Sequence, residues 1–555
     1  MRILLKIAAL LAFCSVQAQA HPLPGTSLGA DVALPPALAA RLPATNAILA
    51  IAQSGSASGT GTSLSGCDGS GTNDTRACIQ AYLDAMPTTG GVLNLGTGLY
   101  RIDDPLNISK PIIVVGSGGG KGQYISGCVR GLRAGAANKD LVILSASGSG
   151  IRSTCIDSGA GNTSGSAVKI VGPYRSVFVT DTQINNAFNG IAISGDTDGP
   201  SANATIANNV FKPNGASGGA AITVGAASTD GHTVDLFIYA NVIYCGEPAA
   251  ASLSSGMVFK DAGGPLVFGN AIYGCNVGTA ITPGANQTVV WGHFNGTLLG
   301  DSSKTNDLLI DTQASTAQIR GTNFTGSWTS WAGGANVLIQ DSGSSNNIVG
   351  LHFAGHRNYM DGNNIGFDVR AGTKFTIDAS TICARGTSSG TAIKLSGSAS
   401  DSAIRDNSIG VCEALSGQIA TGISVVQSSA FVGIISGNDL SNSTTSLNLA
   451  LTGSGIGNNA TAVITDNMGL DNLSGSVTAA ATVTLSSYPR FIINGSTTVT
   501  TINGGWGNRQ ITMIATSGTG LTFATGGNIC NALTTTQNQM VTAYYDPGWG
   551  CWHMR

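Results

Sequence analysis

Ionisable side chains that could carry chemistry concentrate between residues 311 and 405, although only 10% of the 555 residues are charged. Carboxylates and imidazoles transfer protons, whereas arginine and lysine neutralise anionic groups or orient hydroxyls. The side chains that could transfer protons are Asp368, His356, Asp311 and Asp341. Those that could bind a substrate are Arg370, Lys394, Arg357, His352 and Asp361. The alternative interpretation is a solvated outer surface whose charges only pair with one another.

Asp368 is the leading candidate acid or base, and His356 is its expected assistant. Both sequence neighbours of Asp368 are apolar, so strand alternation should bury them and direct Asp368 outward onto a rigid surface. Arg370 would share that face at about 6–7 Å. It could keep Asp368 ionised or hold a carboxylate of the substrate. The segment 355–361 is expected to emerge beside this face as a loop.

A second carboxyl group could come from an earlier part of the same face. Aligning the repeated strands predicts one outward row made of Asp311, Gln340, Arg370 and Lys394. Asp341 lies on an earlier strand than Asp368, as does Asp311. Two carboxyl groups about 5 to 9.5 Å apart could act together as an acid and a base or nucleophile, whereas one base beside a positive group could remove a proton and stabilise the charge that develops.

Metal and cofactor chemistry finds little support in the sequence. No group of His, Cys and Asp has the spacing of a metal site, so we expect no cofactor. Weak binding of Ca²⁺ is the one metal interaction that a groove lined with carboxylates would allow.

The elements that position these residues are indicated by a repeated hexapeptide. It starts with an aliphatic residue, often has Asn at its fourth position, and ends in Ile or Phe. Clear copies begin at Ile206, Ile238, Val267 and Ile404. Looser copies begin at Ile151, Val179, Val290, Ile319, Ile348, Ile377, Ile435 and Ile464. The eleven intervals between Ile151 and Ile464 average about 28.5 residues, so one repeat is about one coil.

This repeat predicts an all-β protein built as a right-handed single-stranded parallel β-helix. Alternate aliphatic side chains would stack on those of the next coil, about 4.8 Å away. The recurring Asn could form a ladder of amide hydrogen bonds along the stack. An antiparallel β-sandwich is the alternative, but its hairpins would recur every 8–12 residues or so.

Cysteine spacing supports the same fold. Ten cysteines remain once Cys14 is set aside, and an even number in an exported chain predicts disulfides. Three nearest-neighbour pairs are about one coil apart, which places their sulfurs above one another at a separation that a disulfide accepts. The predicted pairs are Cys67–Cys78, Cys128–Cys155, Cys245–Cys275, Cys383–Cys412 and Cys530–Cys551.

Residues 1–20 have the pattern of a signal peptide, with Arg2 and Lys6, an apolar run, and Ala18-Gln19-Ala20. The mature protein is therefore expected to be secreted or periplasmic, with no membrane span. The formal net charge of the whole chain is −3, which argues against nucleic acid as a partner.

A segment before the coils resembles a known signature. Asp68, Gly69, Asp74, Thr75, Ile79 and Gln80 match "D-G … D-D-T-x-x-I-Q", and Gly90, Gly91, Leu95, Gly98 and Tyr100 match "G-G-x-v-x-l-p-x-G-x-Y". Both patterns are typical of the N-terminal segment of the pectate-lyase-like superfamily. The resemblance covers about 35 residues, with Asn73 and Gly96 as departures. It implies a parallel β-helix that acts on polysaccharides, while the active-site motifs of polygalacturonases, pectate lyases and alginate epimerases are mostly missing.

Four regions follow from these patterns: the signal peptide 1–20, a linker 21–66, the β-helix 67–475 and a C-terminal β-module 480–555. Asp74 or Thr75 could cap a short helix that closes the N-terminal end of the stack. The module is expected to be small and antiparallel, with Trp506, Trp549 and Trp552 available for its core or for sugar contacts.

The resemblance implies a secreted protein that cleaves a polysaccharide, as a hydrolase or a lyase, in a groove on the β-helix. A non-catalytic glycan-binding adhesin is the alternative, and it would be favoured if no two outward carboxyl groups lay within about 10 Å. A prophage tailspike is disfavoured by the signal peptide. A homotrimer is the assembly that such β-helices suggest.

Overall fold

The computed structural model describes residues 61–117, 128–195, 201–225, 233–246, 253–362, 364–412, 418–427, 431–451, 458–470, 474–485, 488–507 and 509–555. The chain divides into two units, 1–60 and 61–555, and the predicted signal peptide and most of the linker lie outside the described residues. None of the described helices is long and apolar enough to cross a membrane.

Three long parallel sheets, here called A, B and C, form the walls of the unit 61–555, because most coils add one strand to each sheet. Sheet A consists of Thr62–Ser63, Gly91–Asn94, Ile112–Val115, Gly150–Arg152, Phe178–Thr180, Thr205–Ala207, Phe237–Tyr239, Leu266–Phe268, His293–Asn295, Asn323–Thr325, His352–Ala354, Thr376–Asp378, Ser402–Arg405, Gly433–Ser436, Asn458–Thr465 and Gly505–Gly507.

Sheet B follows sheet A along each coil, after a sharp corner. It consists of Ser70–Asp74, Leu99–Ile102, Gly131–Ala134, Cys155–Asp157, Gln183–Ala187, Val210–Pro213, Val242–Tyr244, Ala271–Tyr273, Leu298–Asp301, Trp328–Ser330, Arg357–Met360, Thr381–Ala384 and Ser408–Val411.

Sheet C comes next along the coil and carries the candidate site. It consists of Leu106–Ile108, Val142–Leu144, Ser166–Val171, Asn189–Ser194, Ala220–Val224, Ser255–Phe259, Val277–Ile281, Asn306–Asp311, Ala335–Gln340, Ile365–Val369, Ser388–Ser396, Ile419–Gln427 and Ser443–Leu451. A fourth parallel sheet, D, consists of Ser201–Ala202, Thr233–Val234, Ala262–Gly263, Thr288–Val290, Gln318–Arg320 and Ile348–Val349.

The predicted right-handed parallel β-helix is therefore confirmed. Ile206, Ile238 and Val267, which start three clear hexapeptides, pair in register on neighbouring strands of sheet A. All three are fully buried in one continuous apolar core that runs along the stack. The sequence period thus corresponds to one coil, since each strand meets its own copy in the next repeat.

The expected asparagine ladder is present on both sides of the middle of the stack. Each buried Asn follows the corner between sheets A and B, and its amide joins the Asn of the next coil: Nδ2 of Asn209 donates to Asn241 at 3.0 Å, and Nδ2 of Asn241 donates to Asn270 at 2.9 Å. The same contacts link Asn407, Asn438 and Asn467.

Four intervening coils place other residues at this ladder position: Thr297, Ser327, His356 and Ser380.

For three of these coils the hexapeptide prediction was wrong. The copies expected at Val290, Ile319 and Ile348 lie in sheet D, and the true equivalents begin at Phe294, Phe324 and Phe353. The rings of these phenylalanines stack, with centroids 5.0 and 4.6 Å apart. Each is followed two residues later by a glycine at positive φ, which forms the corner: Gly296, Gly326 and Gly355.

All five predicted disulfides are present. Cys128–Cys155, Cys245–Cys275 and Cys383–Cys412 each join positions about one coil apart, with sequence separations of 27, 30 and 29 residues. These covalent links fix neighbouring coils in register.

A helix, Arg76–Ala85, closes the N-terminal end and buries Ile79 and Leu83. Thr75 is its N-cap residue, but the side chain donates to the carbonyl of Arg101 and makes no capping bond. Gln80 is bonded in both directions to the backbone of Asn107, at 3.0 and 2.9 Å, so the helix is tied to the first strand of sheet C.

The C-terminal module has a mixed sheet of strands Ser474–Thr478, Arg490–Asn494, Gln510–Ala515, Met540–Asp546 and Cys551–Met554. The first three pair in parallel, and antiparallel pairing, which we expected throughout, begins at Gln510–Ala515. Two small sheets complete it: Thr482–Thr484 with Thr501–Asn503, and Thr522–Phe523 with Leu533–Thr534.

Trp506 and Arg509 lie where the C-terminal module meets the last coil. Trp506 belongs to the core of the β-helix, whereas Phe491 belongs to the separate core of the module. The buried guanidinium of Arg509 lies 3.8 Å from the ring centroid of Trp506 and 5.9 Å from that of Phe491. It also donates to the carbonyl of Tyr488 at 2.9 Å. Burial lowers the pKa of Arg509 to about 9.

Candidate functional site

The outer face of sheet C carries the predicted site on four neighbouring strands, Asn306–Asp311, Ala335–Gln340, Ile365–Val369 and Ser388–Ser396. Leu308, Ile310 and their equivalents point into the core, so the alternate positions point outward. This pattern gives the face its rows of outward side chains.

The predicted outward row is partly wrong in register. Asp311 pairs with Gln340, as expected. Lys394, however, pairs with Asp368, and Asp368 pairs with Leu338. Lys394 therefore lies in the row of Asp368, two positions before the row of Arg370.

Asp368 points to the outer side of the strand but is not exposed. Its Oδ2 accepts hydrogen bonds from Nε and Nη2 of Arg370 at 2.9 and 2.6 Å. The side chain of Asp368 is 1% exposed, while that of Arg370 is 51% exposed. The expectation that Asp368 offers a carboxylate to solvent is thus wrong, because Arg370 folds back over it. Within the described part of the chain, no donor or acceptor is hydrogen-bonded to the buried Oδ1 of Asp368.

Asp311 and Asp341 form a hydrogen-bonded network at the end of the same strands. Asp311 accepts from Nε2 of Gln340 at 3.0 Å and from the backbone N–H and hydroxyl of Ser342, both at 2.9 Å. The N–H of Ser342 is bonded covalently to the carbonyl of Asp341, so ordinary bond lengths place the two carboxyl groups within about 8 Å of each other. This upper limit is compatible with the separation of about 5 to 9.5 Å in a glycosidase pair.

Asp341 is held in its loop by four donors: the hydroxyls of Thr312 and Ser345, and the backbone N–H groups of Ser345 and Asn346. Burial by itself favours the neutral acid, but these hydrogen bonds together keep the pKa of Asp341 below its usual value. Asp341 is therefore a carboxylate at neutral pH. It can accept a proton or a hydrogen bond from a hydroxyl, but it cannot donate a proton.

An open pocket of about 480 Å³ lies where these strands end. We call it the sheet C pocket; it is lined by Gln340, Asp341, Ser342, Ser344, Asn346, Arg370, Ala371, Gly397 and Ser398. Two predicted site residues, Asp341 and Arg370, thus line one pocket. Asp311 and Asp368 lie beneath it, bonded to lining residues.

His356 does not belong to this site. It is fully buried at the ladder position, with Nδ1 3.0 Å from the hydroxyl of Ser327 and Nε2 3.1 Å from the hydroxyl of Thr329. Burial lowers its pKa to about 3, so the ring is neutral at physiological pH. The prediction of an emerging loop over 355–361 is wrong, because these residues form a corner and a strand of sheet B.

Three predicted binding residues lie away from the face of sheet C. His352 is half-buried on sheet A, between Asn323 and Thr376. Arg357 is exposed on sheet B, and Asp361 is exposed just after that strand. Sheets A, B and C face different directions, so these side chains do not converge on the sheet C pocket.

Two carboxyl groups that the sequence patterns did not reveal, Asp301 and Asp307, lie where sheet B turns into sheet C. The backbone N–H of Ser330 donates to Oδ2 of Asp307 at 2.7 Å, and the hydroxyl of Ser302 donates to Asp301 at 3.0 Å. Burial raises the pKa of both acids, and the nearby charge of Asp301 adds to the effect on Asp307. Asp307 has the same parity in its strand as Asp311, which is the signal that could have identified it.

Asp307 is completely buried, so it ties two coils together and cannot touch a substrate. Half-buried Asp301 is the accessible member of the pair.

Among the described residues, one group of His, Cys, Asp and Glu has donor atoms close enough for a metal, and it is Cys530, Cys551 and His553. Its two sulfurs are joined in a disulfide.

No protein-family model and no curated protein matches this chain. Among solved structures, the Dettilon tailspike protein is similar at 14% identity and a TM-score of 0.40, over 68% of this chain and 66% of that one. The A-module of a mannuronan C-5 epimerase from Azotobacter vinelandii is similar at 17% identity and a TM-score of 0.38, over 72% of this chain and 98% of that one.

A DFA-IIIase from Arthrobacter chlorophenolicus A6 is similar at 14% identity and a TM-score of 0.42, over 61% of this chain and 95% of that one. At this level of likeness none of these proteins identifies what the present chain binds or does.

Proposed function

We propose that this is a carbohydrate-active protein, which binds a polysaccharide across the outer face of sheet C and cleaves it at the sheet C pocket. The observation that carries the proposal is the pocket itself, which has Asp341 and Arg370 in its lining. Its volume of about 480 Å³ lies in the range of small-ligand sites. The remaining polar lining consists of hydroxyls and amides, the groups that bind sugar hydroxyls.

Two kinds of cleavage agree with this geometry. In a hydrolase, ionised Asp341 would act as base or nucleophile, and Asp311 would supply the second carboxyl group. In a lyase, Asp341 would remove a proton while Arg370 stabilises the charge that develops. Asp368 contributes by holding Arg370, and buried His356 has no part in either reaction.

Non-catalytic glycan binding, as in an adhesin, is the second candidate. It is favoured by the state of the carboxylates, because Asp311 and Asp341 already accept seven hydrogen bonds from neighbouring residues. Carboxylates whose oxygens already accept this many hydrogen bonds can hold a loop in shape without taking part in a reaction. For either function, the five disulfides support a location outside the cytoplasm, where such bonds persist.

A panel of plant and bacterial polysaccharides tests the proposal. The full mature protein is incubated with each, and binding, new reducing ends and unsaturated products absorbing near 235 nm are measured. We expect at least one glycan to be bound and cleaved, and Asp341→Asn to lower the cleavage rate by about 100-fold or more. Binding without any cleavage would leave the adhesin, and binding to none would refute both functions.

Arg370 needs a matched variant, because removing it alone would leave buried Asp368 without its partner. The double variant Asp368→Asn, Arg370→Gln removes the pair together. It should lose glycan binding while keeping its melting temperature within a few degrees. Light scattering of the same samples tests the expected homotrimer.

A further inference from the structure

An exposed tryptophan lies at the other edge of the sheet C face, on the same coil as Asp341. Trp331 directly follows the sheet B strand Trp328–Ser330, and the sheet C strand Ala335–Gln340 leads from there to Asp341. That strand has six residues, so it spans about 17 Å. One coil thus presents an aromatic ring where its sheet C strand begins and a carboxylate of the sheet C pocket where that strand ends.

The ring of Trp331 is held in place at the corner between sheets B and C. Its φ of 60° is rare for a side chain of this size, so the backbone of the corner gives no reason for a tryptophan. Ser302 has the same conformation at this corner one coil earlier, with a φ of 56°. The guanidinium carbon of Arg385 lies 5.6 Å from the centroid of the Trp331 ring. Trp331 nevertheless remains 37% exposed, so part of an oriented ring is open to a ligand.

The surface around and beyond this ring has groups that suit a sugar chain. Leu338 is half-buried on the outer side of the strand, where it pairs with Asp368. Half-buried Asp301 pairs with Ser330, the residue before Trp331. Aromatic and aliphatic side chains contact the C–H faces of sugar rings, whereas carboxyl groups and amides bind their hydroxyls. Groups of both kinds therefore lie between the corner and the sheet C pocket.

We infer that the polysaccharide lies along the strands of sheet C, from the pocket to the corner, and that Trp331 binds a sugar ring several units away from Asp341. The inference rests on the proposed function, since it states how the chain that is cleaved at the pocket is oriented. A disaccharide held in the pocket is too short to span about 17 Å, so contact with Trp331 selects long chains. A ring that is already fixed adds affinity because binding orders it little further.

Oligosaccharides of two lengths test the inference. Partial hydrolysis of whichever panel polysaccharide the full mature protein binds supplies disaccharides and hexasaccharides, and calorimetry measures the affinity for each. We expect Trp331→Ala to lower the affinity for the hexasaccharide by about five- to tenfold, which corresponds to one aromatic contact, and to leave the affinity for the disaccharide unchanged. Trp331→Phe keeps a ring and should recover most of the lost affinity.

Trp291→Ala is the matched control. Trp291 is 68% exposed and has a φ of 54°, but it follows the sheet D strand Thr288–Val290, at the corner next to sheet A. Its removal should leave both affinities unchanged, and all variants should melt within a few degrees of the wild type. Unchanged hexasaccharide binding by Trp331→Ala, or an equal loss for both lengths, would overturn the inference while leaving the proposed function standing. If no glycan of the panel binds, the proposed function itself is refuted.

Discussion

The coils near Asn209–Asn270 and Asn407–Asn467 differ in their interior from those between Thr297 and Ser380. In the first two stretches every coil has the same buried amide at the corner, and each amide bonds to the next. In the middle stretch the same position holds Thr, Ser or His. The sheet C pocket is built by the coils of this middle stretch or directly beside it. The ladder of buried Asn side chains is thus interrupted in the coils whose outer face carries charge.

The ladder positions without Asn and the charged outer face of sheet C thus occur in the same part of the stack. The middle stretch compensates with stacked phenylalanines at Phe294, Phe324 and Phe353. Stability in the two stretches should therefore depend on different interactions, and this can be measured.

The largest expected effect concerns His356 in the middle stretch. Its pKa is about 3 in the folded protein, against an ordinary 6.5, so between these values the unfolded chain binds a proton that the folded protein does not. The contribution of His356 to stability is complete above pH 6.5 and is lost as the pH falls toward 3. The loss amounts to about 4–5 kcal/mol.

Denaturant unfolding from pH 7 to pH 3 of the wild type and of His356→Asn measures this effect. Asn is the residue at the ladder position of the regular coils, so the variant should fold. It should lose less stability on acidification. Identical pH dependence of the two proteins would show that the imidazole is not buried as described.

The second effect is expected in a regular stretch. Asn241→Ala removes four hydrogen bonds, two to Asn209 and one each to Asn270 and Ile206, and leaves buried partners unsatisfied. We expect a loss of about 3–4 kcal/mol in the free energy of unfolding, from chemical denaturation. A loss below about 1 kcal/mol would mean that the ladder does not support the stack.

A smaller effect is expected for the matched change in the middle stretch. Ser327→Ala removes one buried hydrogen bond to His356. The expected loss is about 1–2 kcal/mol, measured by the same denaturation at pH 7. If Ser327→Ala proved as costly as Asn241→Ala, the two stretches would not differ in the way proposed.

The smallest effect is expected for Arg357→Ala. Arg357 is exposed on sheet B and lies away from the sheet C pocket. Stability should change by less than about 0.5 kcal/mol, and glycan binding should be unchanged. A tenfold loss of binding would show that sheet B contributes to the site.

Sequence reasoning succeeded where a residue's role depends on its own repeat. Alternation and period placed Ile206 and its copies in register, and one-coil spacing predicted that Cys245 pairs with Cys275. Alternation also gave the direction of Asp368. It could not give the exposure, because that depends on where the side chain of Arg370 lies.

The errors over the middle coils have one physical origin. Asn at the corner is the most distinctive residue of the hexapeptide, and these coils have Thr, Ser or His there, so the pattern wrongly assigns Ile348 as the start of a copy. Because of this shift in register, His356, which lies at the ladder position, was predicted to lie in a loop. The alternative pattern, Phe-x-Gly followed by a hydrogen-bonding residue, recurs at Phe294, Phe324 and Phe353 and was available in the sequence.

The placement of Trp506 and Arg509 has a consequence for how such a chain can change in length. Trp506 lies in the core of the coils although it is encoded within the C-terminal module, and its strand pairs with Asn458–Thr465. Arg509 rests against aromatic rings of both cores. Loss of the final segment would thus remove part of the stack it closes. Duplication or deletion of a whole regular coil, outside the middle stretch and the disulfide-linked pairs, meets no such obstacle because each coil contacts only its neighbours, so the stack can change in length while both ends and the sheet C pocket are kept.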